Sequence, residues 1–168
     1  MTIFREGNLE IQVDDATAWK KFDDPKVHGL SHCMKAVDFI IESHDRIFFL
    51  EIKDPENPKA PSENSMTFIE DFKAGKLDNE LKYKFRDSFL YEWASENTSK
   101  PIYYLILVAI QTLTAPELIT SSERIKRQIP ILGPVGVWKQ KIVENCMVFN
   151  IATWNRHFPQ YPISRVKK

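Results

Sequence analysis

Three residues have the types and spacing for chemistry on a phosphate ester: Asp38, Glu51 and Lys53. They lie in the stretch KAVDFIIESHDRIFFLEIK over 35–53, which reads as two strands, 35–43 and 46–53, joined by a polar turn at His44-Asp45. In the second strand Ile47, Phe49, Glu51 and Lys53 share one face, and Phe48, Leu50 and Ile52 the other. A strand this apolar should be central, yet it ends in a carboxylate and an ammonium on one face. Either would be costly if left unpaired in a dry interior, so both need partners, a metal or water.

Register supplies a partner. With a symmetric turn Ser43 faces Arg46, and the numbers of opposed residues sum to 89, which sets Asp38 opposite Glu51. An odd loop would instead set Asp38 against Leu50 or Ile52. Directly opposed residues of an antiparallel pair hold their Cβ atoms roughly 4.5–5.5 Å apart. Two carboxylates at that separation repel unless a cation or a shared proton lies between them. Their oxygens, completed by water and a backbone carbonyl, suit Mg²⁺ or Mn²⁺ rather than Zn²⁺. Lys53 points into the same space, where it can hold or help deprotonate an attacking water and offset charge on a pentavalent phosphate. Metal plus lysine is what phosphodiester hydrolysis requires.

Asp38, twelve residues, then Glu51-Ile52-Lys53, on adjacent strands flanked by helices, resembles the PD-(D/E)XK nuclease superfamily, which includes restriction endonucleases and Holliday-junction resolvases. The D/E-x-K triplet occurs four times in the chain, but only Glu51-Ile52-Lys53 closes an apolar strand with an acid correctly placed before it. The resemblance covers about residues 10–112. It implies an α/β fold with a restriction-endonuclease-like αβββαβ core, a mixed central sheet flanked by helices. It further implies Asp38 and Glu51 as metal ligands, the Ile52 backbone carbonyl as another, Lys53 as catalytic lysine, Mg²⁺ or Mn²⁺ as cofactor, and nucleic acid, DNA foremost, as substrate. Val37 stands where the proline of the family's name would be. The acid that many members carry on the first helix has no clear counterpart; Asp15 is the candidate, with Glu10 and Asp14 as alternatives. Members often place a basic residue of the helix after the loop near the metal or the phosphates. Lys82 and Arg86, one turn apart, are the residues in question here, with Lys84 off their face; a solvated face with i,i+4 charge pairing is the competing reading.

The remaining elements must position this strand pair. Residues 2–13 read as a hairpin around Gly7, and Asp14 or Asp15 is expected to cap a short helix reaching Phe22, with Asp15, Trp19 and Phe22 on one face. Pro55, Pro58 and Pro61 force an extended loop. A short helix over 66–74 ends at Gly75, and a longer one over 78–96 repeats Leu77, Leu81, Phe85, Phe89 and Trp93 every four residues. Residues 102–110 are apolar throughout and read as a strand covered on both faces. Thr114-Ala-Pro-Glu117 is a capping box opening a helix to about Gln128. After a loop over 130–136, residues 139–144 suit a helix and 147–151 a last strand, which completes an α/β layered domain.

Composition agrees with one globular domain over 1–168, with a core at about 10–112 and a basic C-terminal extension over 113–168. The 168 residues are 43% hydrophobic and 27% charged with five glycines, which excludes a disordered chain, a collagen-like fibre and a disulfide scaffold. The longest apolar run is nine residues, against the ~20 of a membrane helix, and the N-terminus carries no signal-peptide pattern, so a cytoplasmic protein is expected. Cys33 and Cys146 are expected to be buried thiols. The net charge is zero, yet residues 118–168 hold nine basic and two acidic side chains, net +7, leaving −7 on 1–117. Such asymmetry suits a polyanion-binding surface beside an acidic metal site, and equally a solvated helix with a basic tail.

Arg156 lies in WNRHFPQYP over 154–162, a segment that can stack bases or clamp phosphates, or else latch over the core. His28, His32 and Cys33 lack a fourth ligand at zinc spacing. A non-catalytic domain of the same fold, serving as a nucleic-acid-binding or protein-interaction module, is the rival function, favoured by the neutral overall charge. A homodimer is a further expectation, because a lone domain of this size rarely encircles a duplex.

Overall fold

The computed structural model describes residues 2–59 and 62–166, with the side chains of 62–64 outside that description. Strands β1 (Thr2–Glu6) and β2 (Leu9–Val13) form the expected hairpin, turned by Gly7 at φ 58°. Then come β3 (Ala18–Lys21), α1 (Pro25–His28), β4 (Phe39–Glu42) and β5 (Ile47–Lys53). Helices α2 (Ser62–Lys73) and α3 (Asp78–Ala94) lead to β6 (Ile102–Val108) and α4 (Ala115–Lys126). The chain ends with β7 (Asn145–Phe149), α5 (Ile151–His157) and β8 (Ile163–Arg165).

The larger sheet has five strands in the order β3-β4-β5-β6-β7. Strands β3, β4 and β5 run antiparallel, whereas β5, β6 and β7 run parallel, so the fold is α/β with a mixed sheet. A second antiparallel sheet, β1-β2-β8, lies on one face of the first. Two apolar cores result. Ile40, Phe49, Tyr104 and Ile106 pack against Leu81 and Phe85 of α3 and Leu118 and Ile125 of α4. Phe39, Ile41, Phe48, Leu50 and Leu107 pack against Phe4 and Ile11 of the small sheet and Trp154 of α5. Alternation along β5 therefore sends Phe49 and Glu51 to the helical face and Leu50 and Ile52 to the other. Burial of a residue such as Phe49 on that strand is worth about 3–5 kcal/mol against alanine.

Several expectations are corrected. The segment expected as a helix up to Phe22 holds β3, because β4 needs a second neighbour to satisfy its outer backbone groups. Asp24 caps α1 instead, its side chain accepting from the Lys26 N–H at 2.8 Å. No helix precedes β3 among the described residues; the small sheet is there instead. The strand expected over 35–43 is regular only from Phe39 to Glu42. Residues 139–144 form no helix, and the chain after Phe149 is helical rather than strand. Cys146 is buried but Cys33 is exposed.

On α3 the buried ridge is Leu81, Phe85, Ser88 and Glu92, while Trp93 is 56% exposed. A strict four-residue repeat drifts about 40° per step around a 3.6-residue helix, which carries Trp93 off the core. The aromatic C-terminal segment is a latch: Trp154, Phe158 and Tyr161 are buried, and the Trp154 indole donates to the Tyr161 carbonyl at 2.7 Å.

Candidate active site

The turn between β4 and β5 is the even one that the register argument requires. The Ser43 N–H donates to the Arg46 carbonyl at 2.9 Å, and Phe39 pairs with Leu50, Ile40 with Phe49 and Glu42 with Ile47. One further step in that register brings Asp38, just ahead of β4, to Glu51. Asp38 is 7% exposed and Glu51 fully buried.

The side chains converge as expected and recruit one more. Lys84 Nζ lies 2.6 Å from Glu51 Oε1 and 3.6 Å from Asp38 Oδ1; laid end to end, these distances bound the two oxygens' separation at 6.2 Å. Lys53 Nζ lies 3.1 Å from Glu51 Oε1 and 2.8 Å from Glu80 Oε1. The Ile52 N–H donates to Asp38 Oδ2 at 2.6 Å, tying the first acid to the strand that carries the second. Among the described residues, Glu51 Oε2 is buried with no hydrogen-bond partner.

Burial dominates the electrostatics. It pushes the Asp38 carboxyl up to about 7, the Glu51 charge adding to the effect while Lys84 and the Ile52 N–H oppose it. Burial likewise raises Glu51 against the pull of Lys84 and Lys53. The Lys53 ammonium is drawn down by burial, but Glu51 and Glu80 outweigh this and leave it raised. Burial lifts Glu80, but Lys53, Lys84 and Lys35 together outweigh it, so that carboxylate sits below its ordinary value. Lys53 is thus a firmly charged ammonium, suited to donating a hydrogen bond rather than taking a proton.

Helix α3 aligns the whole arrangement through one edge. Glu80, Lys84 and Asp87 recur at i, i+4 and i+7 beside the buried ridge. Glu80 holds Lys53, and Lys84 holds the carboxylate pair. Asp87 Oδ2 accepts from the Lys35 N–H at 2.8 Å, and Ser88 Oγ accepts from the buried Val37 N–H at 3.0 Å. The irregular approach to Asp38 is therefore pinned by α3, and the Asp38 carbonyl accepts from the Phe22 N–H of the β3 end at 2.8 Å.

The donor chemistry fits a hard divalent ion. The partnerless Glu51 Oε2 and Asp38 Oδ1 are carboxylate oxygens from adjacent strands. The Ile52 carbonyl lies on the same edge of β5 as the N–H that reaches Asp38. This all-oxygen set suits Mg²⁺ or Mn²⁺, which retain several waters. Among the described residues no group of three or more His, Cys, Asp or Glu is arranged to hold a metal.

The other sequence candidates lie elsewhere. Asp15 is exposed after β2 and accepts from the Tyr161 hydroxyl at 2.7 Å, which removes it from the carboxylate pair. Its selection depended on a helix that does not form. Lys82 donates to Asn79 Oδ1 at 2.9 Å, and Arg86 is exposed on the outer side of α3. Arg156 is exposed on α5, which packs on the opposite face of the large sheet. His28 Nδ1 accepts from the Leu30 N–H at 3.0 Å.

Lys84, Glu80 and Asp23 were missed. Asp23, just past β3, adds its charge to those acting on Asp38; burial raises its own carboxyl, and among the described residues its Oδ1 is buried without a hydrogen bond. The available signal for Lys84 was its place three residues after Leu81 and one before Phe85, flanking the ridge rather than opposing it. Comparison of the chain with protein-family models, with curated proteins and with solved structures finds no match in any of the three.

Proposed function

We propose that the chain is a metal-dependent phosphodiesterase of the PD-(D/E)XK type that cleaves nucleic acid, DNA foremost. The β3-β4-β5 meander, α3 and the parallel β6 make up its restriction-endonuclease-like core. The strand order and senses support that core, although the small sheet replaces the helix that would open it. The observation that carries the function is the buried Asp38–Glu51 pair with its partnerless Glu51 Oε2 and a lysine two residues further along the strand.

Asp38, Glu51 and the Ile52 carbonyl would hold the ion. When bound, it supplies charge neutralisation at the phosphate and an acidified water. The Ile52 N–H fixes the Asp38 carboxylate so that only Oδ1 faces the shared space. Lys53, oriented by Glu80 and Glu51, donates to the attacking water or to a non-bridging phosphate oxygen and stabilises charge that develops there. Cleavage of a DNA and RNA panel in Mg²⁺ or Mn²⁺, abolished by EDTA and by Lys53→Ala in a folded protein, is the expected result. Activity persisting in the Lys53 variant refutes the assignment of the site.

A second reading rests on Lys84. An ammonium already bridging the two carboxylates is what a purely structural ion cluster would use, and it favours a non-catalytic nucleic-acid-binding or protein-interaction module. Inactivity on the whole panel, with retained binding to nucleic acid, would select that reading.

A further inference from the structure

We propose that Lys84 is a resident counter-ion that a divalent metal displaces, so that loading the site ejects this ammonium from the Asp38–Glu51 pair. The inference rests on the metal-site reading above and goes beyond it by assigning the site two alternative cation states.

Occupancy motivates the exchange. Lys84 Nζ sits between Glu51 Oε1 and Asp38 Oδ1, at 2.6 and 3.6 Å. A divalent ion bonded to oxygens of both carboxylates would face this ammonium at close range, and like charges that close together in a buried site repel strongly.

Geometry says which lysine leaves. Lys53 has a second anchor in Glu80 at 2.8 Å, outside the pair that the ion would occupy. Among the described residues Lys84 forms ion pairs only with the two carboxylates, and its 3.6 Å approach to Asp38 Oδ1 exceeds a hydrogen bond. Its side chain is 17% exposed at the edge of α3, so a rotamer change carries the ammonium into water. Helix α3 need not move, because Leu81, Phe85 and Ser88 stay buried beneath it.

Lysine acylation read by mass spectrometry tests this on the wild-type protein, with a water-soluble acetylating ester and with Mn²⁺ present or absent. Labelling of Lys84 is expected to rise severalfold with Mn²⁺, while Lys20, paired with Glu92 away from the site, keeps its reactivity as an internal reference. In parallel, calorimetric Mn²⁺ titration of Lys84→Gln is expected to give about tenfold tighter binding than wild type, a competing cation having been removed. Mn²⁺ binding that is lost in Asp38→Asn but leaves Lys84 labelling unchanged overturns the exchange and leaves the metal site standing. Failure of both wild type and Lys84→Gln to bind millimolar Mn²⁺ overturns the metal site itself, and the exchange with it.

Discussion

Replacing Asp38 with asparagine isolates the cost of holding two acids together in the metal-free protein. Burial first, and Glu51 second, lift the Asp38 carboxyl from 3.8 to about 7. The folded state therefore binds this proton more tightly than the unfolded chain. Stability is greatest below the unfolded value and falls as the pH rises through the window between 3.8 and about 7. At about 1.4 kcal/mol per pH unit, the fall amounts to at most about 4 kcal/mol. Asparagine keeps an oxygen that can accept from the Ile52 N–H at nearly unchanged shape, and it has no charge to lose. Asp38→Asn should therefore gain on the wild type as the pH rises, by about 1–4 kcal/mol between pH 4 and pH 8. Urea unfolding in EDTA at several pH values measures this directly. A stability difference between wild type and variant that stays the same from pH 4 to pH 8 would mean that Lys84 fully neutralises the pair, and would refute the reasoning.

Three further outcomes are expected. Mn²⁺ or Mg²⁺ should raise the melting temperature of the wild type, by the equivalent of about 2.7 kcal/mol at a hundredfold excess over Kd, and should do little for Asp38→Asn in the same thermal melt. Ser88→Ala leaves the buried Val37 N–H without its acceptor and should cost about 1–3 kcal/mol in denaturant unfolding, with amide exchange at Val37 accelerated. Lys53→Ala should abolish cleavage while keeping the far-ultraviolet spectrum of the wild type, because its ammonium is near the rim of the site and 20% exposed.

The strand pair and the meeting of its acidic side chains were legible because two local rules agree there. Period-two alternation placed Glu51 and Lys53 on one face, and the even turn at His44-Asp45 fixed the opposing residue as Asp38. Nothing comparable marks β3: Ala18–Lys21 is a strand because β4 has an open edge, a tertiary demand that the Asp14-Asp15 capping signal conceals. Lys84 was illegible for a rotational reason. Choosing Lys82 and Arg86 meant choosing the exposed face of α3, whereas the residues that reach the site flank the Leu81–Phe85–Ser88 ridge. The pairing of β8 with β2 brings Ile163 to Ile11 across most of the chain, a contact that no local pattern announces. The aromatic latch was readable as one of two alternatives, and the burial of Trp154 and Tyr161 decides between them.

The central claim is that Asp38 and Glu51 together hold one divalent ion. A crystal soaked in MnCl₂ and measured for anomalous scattering addresses it without relying on a chosen substrate. The account predicts a manganese peak bonded at about 2–2.6 Å to oxygens of Asp38 and Glu51, with Lys84 turned away. No peak at saturating Mn²⁺, with the Lys84 ammonium still seated between the two carboxylates, would contradict it.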